Sequence, residues 1–368
     1  KGMIYLTERE KQIIDLIKEN PLITQEEIAA ELKCARTSIA VHISNLMKKG
    51  AILGKKYIIN ETPYILTIGA TNIDIMGKSY GNVIRYDSNP GDVSISFGGV
   101  GKNIAENIGK LGIGSKFITA LGDDIYGRDI KEYLKNQNLD ISDSLFLKNY
   151  QTSMYVSILN DDKEMEMAVS STDICKNITP VYLDSIKKKI TNAKLVVVDT
   201  NLEEETLRYL AFLRRKPNLI LDTVSTKKAL KVKEFIGRFH TIKPNRLEAE
   251  ILSGTNIYGN DDLKRVGDYF ISKGVKKVFV SLGAKGVFYM SEHKNGIIKN
   301  PKINPVSTTG AGDAFVAGIA YSEYNDYDVE KAAKFATGAA ILTSLNANTV
   351  SEQINRKNIE TLIEEMEI

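Results

Sequence analysis

Tryptophan is absent from the 368 residues, and there are only two cysteines, Cys34 and Cys175, and three histidines, His42, His240 and His293. The two cysteines stand far apart without metal-ligand spacing, which argues against a disulfide framework or a zinc module. Both thiols are expected to pack, and a reducing cytoplasm is the expected setting. The scattered histidines argue against a histidine-based metal centre. No apolar run is long enough to span a membrane as a helix, and the first twenty residues are too charged for a signal peptide. A strong charge of either sign is also missing. Lys plus Arg number 49 and Asp plus Glu 46, so the net charge of +3 gives no global attraction to nucleic acid. Internal repeats, low-complexity segments and long linkers are lacking too. What remains is an ordinary globular composition, 43% hydrophobic and 26% charged, in a chain long enough for more than one domain.

The first sixty residues read as a unit of their own. Residues 8–19 carry Ile13, Ile14, Leu16 and Ile17 at helical spacing, and Asn20-Pro21 ends that helix. Thr24-Gln25-Glu26-Glu27 has the form of a capping box and opens a second helix with Ile28, Ala29 and Leu32. A third helix is expected from about Arg36 to Lys49, with Ile39, Ile43 and Leu46 as its core stripe and Gly50 as its stop. Residues 51–59 suggest a hairpin. Three helices and a hairpin resemble the winged helix-turn-helix modules of bacterial regulators. In that geometry the third helix enters the major groove. Arg36, Thr37, Ser38, His42 and Asn45 then face bases or phosphates, with Lys48, Lys55 and Lys56 near phosphates. The alternative is a compact module for protein contacts or dimerisation. The boundary falls near residues 60–63, dividing an expected DNA-binding domain, 1–62, from the remainder, 63–368.

From Tyr64 the pattern changes to alternating strands and helices. Buried strands are expected at 64–70, 115–121, 194–199, 218–222, 239–243, 276–282 and 286–290. Helices are expected at 125–136, 180–190, 203–215, 226–236, 261–273, 312–324, 329–345 and 356–366. Such alternation over about 300 residues implies a doubly wound, mostly parallel sheet with helices on both faces. Alternating pieces at 82–86, 93–97, 154–160 and 164–169 are read as a small β lid, within about 78–97 and 144–170.

Five loops carry chemistry-bearing residues. Thr71-Asn72-Ile73-Asp74 follows the first strand, and Asp74 there either accepts hydrogen bonds from sugar hydroxyls or shapes a turn. Gly98-Gly99-Val100-Gly101-Lys102-Asn103 opens a helix whose first turn projects Asn103. It is not a phosphate-binding P-loop, because no Gly-Lys-Ser/Thr follows. Asn245 and Glu248 in Lys243-Pro244-Asn245-Arg246-Leu247-Glu248 share one helix face. They suit either a hydrated Mg²⁺ or a capping box. Ser281-Leu282-Gly283-Ala284-Lys285-Gly286 is a glycine-bracketed turn, open to phosphate contact or to a plain β-turn. Last, Thr308-Thr309-Gly310-Ala311-Gly312-Asp313 precedes a small-residue helix. Its first N–H groups are free to bind an anion, and Asp313 is a helix cap or a catalytic base.

Together these motifs resemble the ribokinase-like (PfkB) carbohydrate kinase family over roughly residues 64–350. Residues 98–112 are similar to its first signature, 307–321 to its second, and Asn245–Glu248 to its Asn-x-x-Glu metal motif. The resemblance implies a ribokinase-like fold and transfer of the γ-phosphoryl of ATP to a primary hydroxyl. Asp313 is then the general base, and Gly310, Ala311 and Gly312 form the anion hole. Asp74, Asn72, Gly99 and Asn103 bind the sugar. Asn245 and Glu248 hold Mg²⁺ through water. Asn245, Ser281, Gly283 and Gly286 line the ATP phosphates, with adenine near Gly338, Ala339 and the loop 346–349. A monovalent cation such as K⁺ near the anion hole and a lid-to-lid homodimer are further family features. Residues 103–107, Thr152-Ser153-Met154-Tyr155 and 243–250 look most like the pseudouridine kinases of this family. That implies the 5′-hydroxyl of pseudouridine as acceptor, with Thr152 and Ser153 at its site. The segment Ala168-Val169-Ser170-Ser171-Thr172-Asp173-Ile174 departs from that pattern, where Ala-Asp-Met is expected.

Overall fold

The computed structural model describes residues 5–21, 23–54, 63–162 and 164–368. They fall into two compact units, Lys1–Pro63 and Tyr64–Ile368.

The first unit contains helices Glu8–Glu19, Gln25–Glu31 and Arg36–Lys48. Capping boxes start the first two. Thr7 pairs with Glu10, and Thr24 with Glu27, so two of the orphan N–H groups at each end are satisfied locally. Ile13, Ile17, Ile28, Ile39 and Leu46 form its core. Glu10 is buried there and is paired with Lys49 at 2.7 Å. The expected hairpin, with Lys55 and Lys56, lies largely outside the described residues.

Among its described residues the second unit has fourteen strands: β1 (Tyr64–Ile68), β2 (Asn72–Ser79), β3 (Gly91–Gly98), β4 (Gly114–Ile118), β5 (Ala120–Gly122), β6 (Leu145–Leu147) and β7 (Met154–Leu159) come first. β8 (Met165–Ser171), β9 (Leu195–Asp199), β10 (Asn218–Asp222), β11 (Thr241–Lys243), β12 (Lys277–Ser281), β13 (Val287–Ser291) and β14 (Asn295–Ile298) follow. The main sheet runs β14-β13-β12-β11-β10-β9-β1-β4. Its pairs from β4 through β12 are parallel, and β13 and β14 add an antiparallel edge. Strand alternation divides the core. Leu66, Ile68, Val196, Val198, Leu219 and Leu221 pack to one side, and Ile65, Val197 and Ile220 to the other. Both faces are therefore covered, as buried parallel strands require.

A second sheet, β3-β2-β7-β8, stands apart as the lid. It begins at Asn72, earlier than expected, and residues 82–86 form no strand. The polar pair Asn72 and Asp74 reads as a turn, but both belong to the alternating face of β2. Leu145–Leu147 joins Ala120–Gly122 in a separate pair rather than the lid. The expected strand 115–121 is split between two sheets, and the expected helix 180–190 is broken at Ile186. Strand β14 has no counterpart in the sequence reading, whereas helix Arg246–Ser253 is the one on whose face Asn245 and Glu248 are expected.

Candidate active site

Parallel strands deliver their carboxyl ends to one edge of the sheet, and the loops there carry the polar residues. Register sets three of them side by side: Asp199 pairs with Asp222, and Asp222 with Lys243. The Lys243 ammonium lies 3.0 Å from Asp222 Oδ2, with both side chains nearly buried. Burial disfavours the Lys243 charge, yet Asp222, Glu248 and Asp313 together hold its pKa above the ordinary value. Asp199 accepts the N–H groups of Ala70 at 3.0 Å and Asn201 at 2.8 Å. Burial, with a contribution from Asp222, pushes its carboxyl up to about 6.

Above this edge, helix Ala311–Tyr324 begins at Gly310. Gly310 has φ +83°, and a Cβ there would sit 2.0 Å from the Thr349 carbonyl oxygen, so only glycine fits. No side chain caps this helix end. The Ala311 N–H reaches back to the Thr308 carbonyl at 3.4 Å, which leaves the following N–H groups as the freer donors. The Lys243 ammonium lies 3.4 Å from where a Cβ on Gly312 would be, so a cation sits beside this positive helix end.

Asp313 accepts a 2.7 Å hydrogen bond from the Asn103 amide. Burial pushes the Asp313 carboxyl up to about 7, aided by the charges of Asp222 and Asp199 and opposed by Asn103 and Lys243. Asn103 projects from helix Val100–Lys110, and Thr349 Oγ1 donates to its carbonyl oxygen at 3.5 Å. Asp74 stands on β2, where the Asn72 amide donates to its Oδ1. Its carboxyl lies against Gly98, where a Cβ would come within 1.9 Å of Oδ2. Burial raises the Asp74 pKa, against the pull of Asn72 and Lys102. Gly99 packs its backbone on Ala70 and Thr71, which ties the lid crossing to the start of the Asn103 helix.

Asn245 and Glu248 form a capping box on helix Arg246–Ser253. Glu248 accepts the Asn245 N–H at 2.9 Å, the Asn245 amide at 2.7 Å and the Thr223 hydroxyl at 2.6 Å. A carboxylate has about four acceptor positions, so little is left for direct metal ligation. A hydrated cation fits this donor set, because its waters need only one acceptor from each residue. No group of three or more His, Cys, Asp or Glu among the described residues could hold a metal directly.

A cavity of about 950 Å³ opens beside this pair, lined by Asn245, Ser281, Gly283, Tyr258, Lys285 and Lys299 among others. Gly286, at φ +105°, closes the β12–β13 hairpin next to it. Gly338 and Ala339 do not join it. Ala339 is 1% exposed in the core, and a side chain at 338 would press on Ile359 and Ile363. Their smallness serves helix packing, which gives the same sequence signal as a nucleotide contact. Thr152 sits against the start of another helix. It is buried, its N–H and hydroxyl both donate to Asp124 at 2.7 Å, and Asp124 caps helix Ile125–Asn136. Ser153 is buried beside it.

Asp199, Asp222 and Lys243 escape the motif reading. Their signal is positional: each ends an apolar strand run, where a charged residue is otherwise costly. In the first unit Arg36, Thr37, Ser38 and Lys48 are exposed, and His42 is half-buried. Arg36 is paired with Glu26 at 2.7 Å.

Comparison with known proteins accords with these features. A family model described as pfkB family carbohydrate kinase matches residues 62–354. A second, described as winged helix-turn-helix DNA-binding, matches residues 6–52. The uncharacterized sugar kinase YeiI of Escherichia coli is 34% identical over 361 residues, covering 97% of this chain and 99% of that protein. Pseudouridine kinase of Escherichia coli is 33% identical over 310 residues, covering 84% of this chain and 99% of that protein. The crystal structure of a putative sugar kinase from Clostridium perfringens superposes with a TM-score of 0.74 at 37% identity, covering 84% of this chain and 96% of that one.

Proposed function

The chain belongs to the pfkB family of carbohydrate kinases, with a winged helix-turn-helix unit at its N-terminal side, and we propose that it transfers the γ-phosphoryl group of ATP to the 5′-hydroxyl of pseudouridine. The observation that carries the chemistry is the Asn103–Asp313 hydrogen bond, which joins the two signature segments at one point. Asp313 takes the proton of the attacking hydroxyl. A carboxyl titrating near 7 is a carboxylate above that pH and retains enough basicity to accept the proton as the bond to phosphorus forms. The N–H groups at Gly310–Gly312 and the Lys243 ammonium neutralise the charge on the moving phosphoryl group. Asn72 and Asp74 on the lid orient the sugar hydroxyls. Asn245, Ser281 and Gly283 border the cavity that takes the nucleotide. Mg²⁺, when bound, supplies charge neutralisation to the polyphosphate, and Asn245 and Glu248 would hold it through water.

The choice of pseudouridine rests on the 33% identity with a pseudouridine kinase over nearly that protein's whole length. The departure at 168–174 spans the end of the exposed lid-edge strand β8, Thr172 and the start of the 3-10 helix Asp173–Asn177. A panel of pseudouridine, uridine, adenosine, ribose and fructose phosphates with ATP and Mg²⁺ tests the choice. Preferred turnover of pseudouridine supports it. Turnover of a free sugar or sugar phosphate with none of pseudouridine contradicts it.

Val93, Ile95, Met167 and Val169 share one face of the lid sheet and are each more than half exposed. This supports a lid-to-lid homodimer, checked by the mass in solution of the parent and of Ile95→Asp. A DNA-binding role for the first unit is favoured by its exposed Arg36, Thr37, Ser38 and Lys48. The chain then regulates transcription as well as, or in place of, turning over substrate.

A further inference from the structure

The turn after β10, Asp222-Thr223-Val224, touches both halves of the phosphoryl-transfer apparatus. Asp222 Oδ2 holds the Lys243 ammonium at 3.0 Å. Asp222 Oδ1 accepts the Val224 N–H at 2.8 Å. The Thr223 hydroxyl donates to Glu248 at 2.6 Å. Val224 has φ +58°, a left-handed backbone that a β-branched residue rarely adopts. Such strain persists only where surrounding contacts impose it. Asp222 itself is 2% exposed. A buried carboxylate, a strained turn and a cation aimed at a helix N-terminus are costly together for a merely structural corner.

We propose that Asp222 is a positioning residue for phosphoryl transfer, holding Lys243 against the Gly312 end of helix Ala311–Tyr324. The proposal rests on the kinase reading above. Without the carboxylate, the four-carbon Lys243 side chain has several rotamers open to it and is no longer aimed. Asp222 acts on the base as well. The groups facing Asp313 are Asp222, Asp199, Lys243 and the Asn103 amide. Of the charged ones Asp222 and Asp199 disfavour its ionisation, and Lys243 favours it. Removing the Asp222 charge therefore makes Asp313 ionise at lower pH even where Lys243 is displaced, because the Asp222 charge acts on Asp313 more strongly than the Lys243 charge does. It also removes a negative charge near the incoming polyphosphate, so nucleotide binding is not weakened.

The test compares the parent with Asp222→Asn and Asp222→Glu in the full chain, with steady-state rates from pH 5 to 9. Asp222→Asn is expected to lower kcat about tenfold or more, leave KM for ATP unchanged or lower, and move the acid limb of kcat to lower pH. Asp222→Glu, which keeps the charge but displaces it, is expected to lower kcat with the acid limb unmoved. Parental kcat in Asp222→Asn overturns the proposal. A lowered kcat with an unmoved acid limb in that variant overturns it too, since a loss of folded protein would do the same. Should Asp222→Asn not fold, Asp222→Glu decides alone: a lowered kcat with KM for ATP unchanged is expected, and a parental kcat overturns the proposal. A parent that phosphorylates no acceptor contradicts the kinase reading itself, and this inference falls with it.

Discussion

Asn103 donates to Asp313 at 2.7 Å across 210 residues of chain. One belongs to a helix that starts at the lid crossing, the other to a helix that starts at a left-handed glycine. The bond holds the carboxyl of Asp313 in one orientation, beside the carboxyl edge that carries Asp199, Asp222 and Lys243. Neither motif has that geometry by itself.

The state of Asp313 should be visible in both rate and stability. Its carboxyl is pushed up to about 7 from 3.8. Between roughly these values the native state holds a proton that the unfolded chain has released, so this group's contribution to stability declines as pH rises to about 7. Activity has the opposite dependence, because the base must be ionised. kcat is expected to fall below about pH 7, and Asp313→Asn is expected to melt at or above the parent temperature at pH 8. Calorimetric melts at pH 5 and 8 check this. A variant that melts well below the parent at pH 8 contradicts it.

Gly310→Ala should harm both fold and activity. The left-handed backbone alone costs about 1–2 kcal/mol for a residue with a Cβ, and the added carbon would meet the Thr349 carbonyl at 2.0 Å. A lower melting temperature together with a lost rate is expected. Parental kcat in this variant would remove Gly310 from the anion hole.

Asp74→Asn separates the two substrates. Asp74 lies on the lid over Gly98, whereas the cavity beside Asn245 and Gly283 is formed by other loops. KM for the acceptor is expected to rise about tenfold or more, the scale of a lost hydrogen bond to a charged group, with KM for ATP unchanged. A rise in both constants would place Asp74 in general folding rather than at the acceptor.

The first unit gives a prediction independent of the kinase chemistry. Binding of the full chain to DNA from its own operon, followed by fluorescence anisotropy, should weaken in Arg36→Ala and Lys48→Ala. The salt dependence should become shallower in each. Arg36 must leave Glu26 to reach a phosphate, so its effect is expected to be the smaller. No salt-dependent binding by the parent would leave the unit a protein-contact module.

Much of this was legible in the chain because periodicity and glycine placement are local properties. The helices starting near Gly98 and Gly310, the capping box at Thr24 and the apolar runs ending in Asp199, Asp222 and Lys243 all appear within short windows. Asn72 and Asp74 were not legible as strand residues, because a short polar pair after a buried strand has the composition of a turn. Register with β3 and β7 decides it. Thr152 has the same limit: its partner Asp124 lies 28 residues away, and only the fold brings them together. Gly338 and Ala339 show the converse, since close helix packing and nucleotide contact both select small residues.

The most direct measurement is phosphorus NMR of the products formed from pseudouridine and ATP with Mg²⁺, for the parent and for Asp313→Asn. The account predicts a new 5′-phosphomonoester and stoichiometric ADP with the parent, and a rate lower by about a thousandfold or more with a folded Asp313→Asn. No phosphomonoester from the parent, or the same ester formed at an undiminished rate by Asp313→Asn, would contradict it.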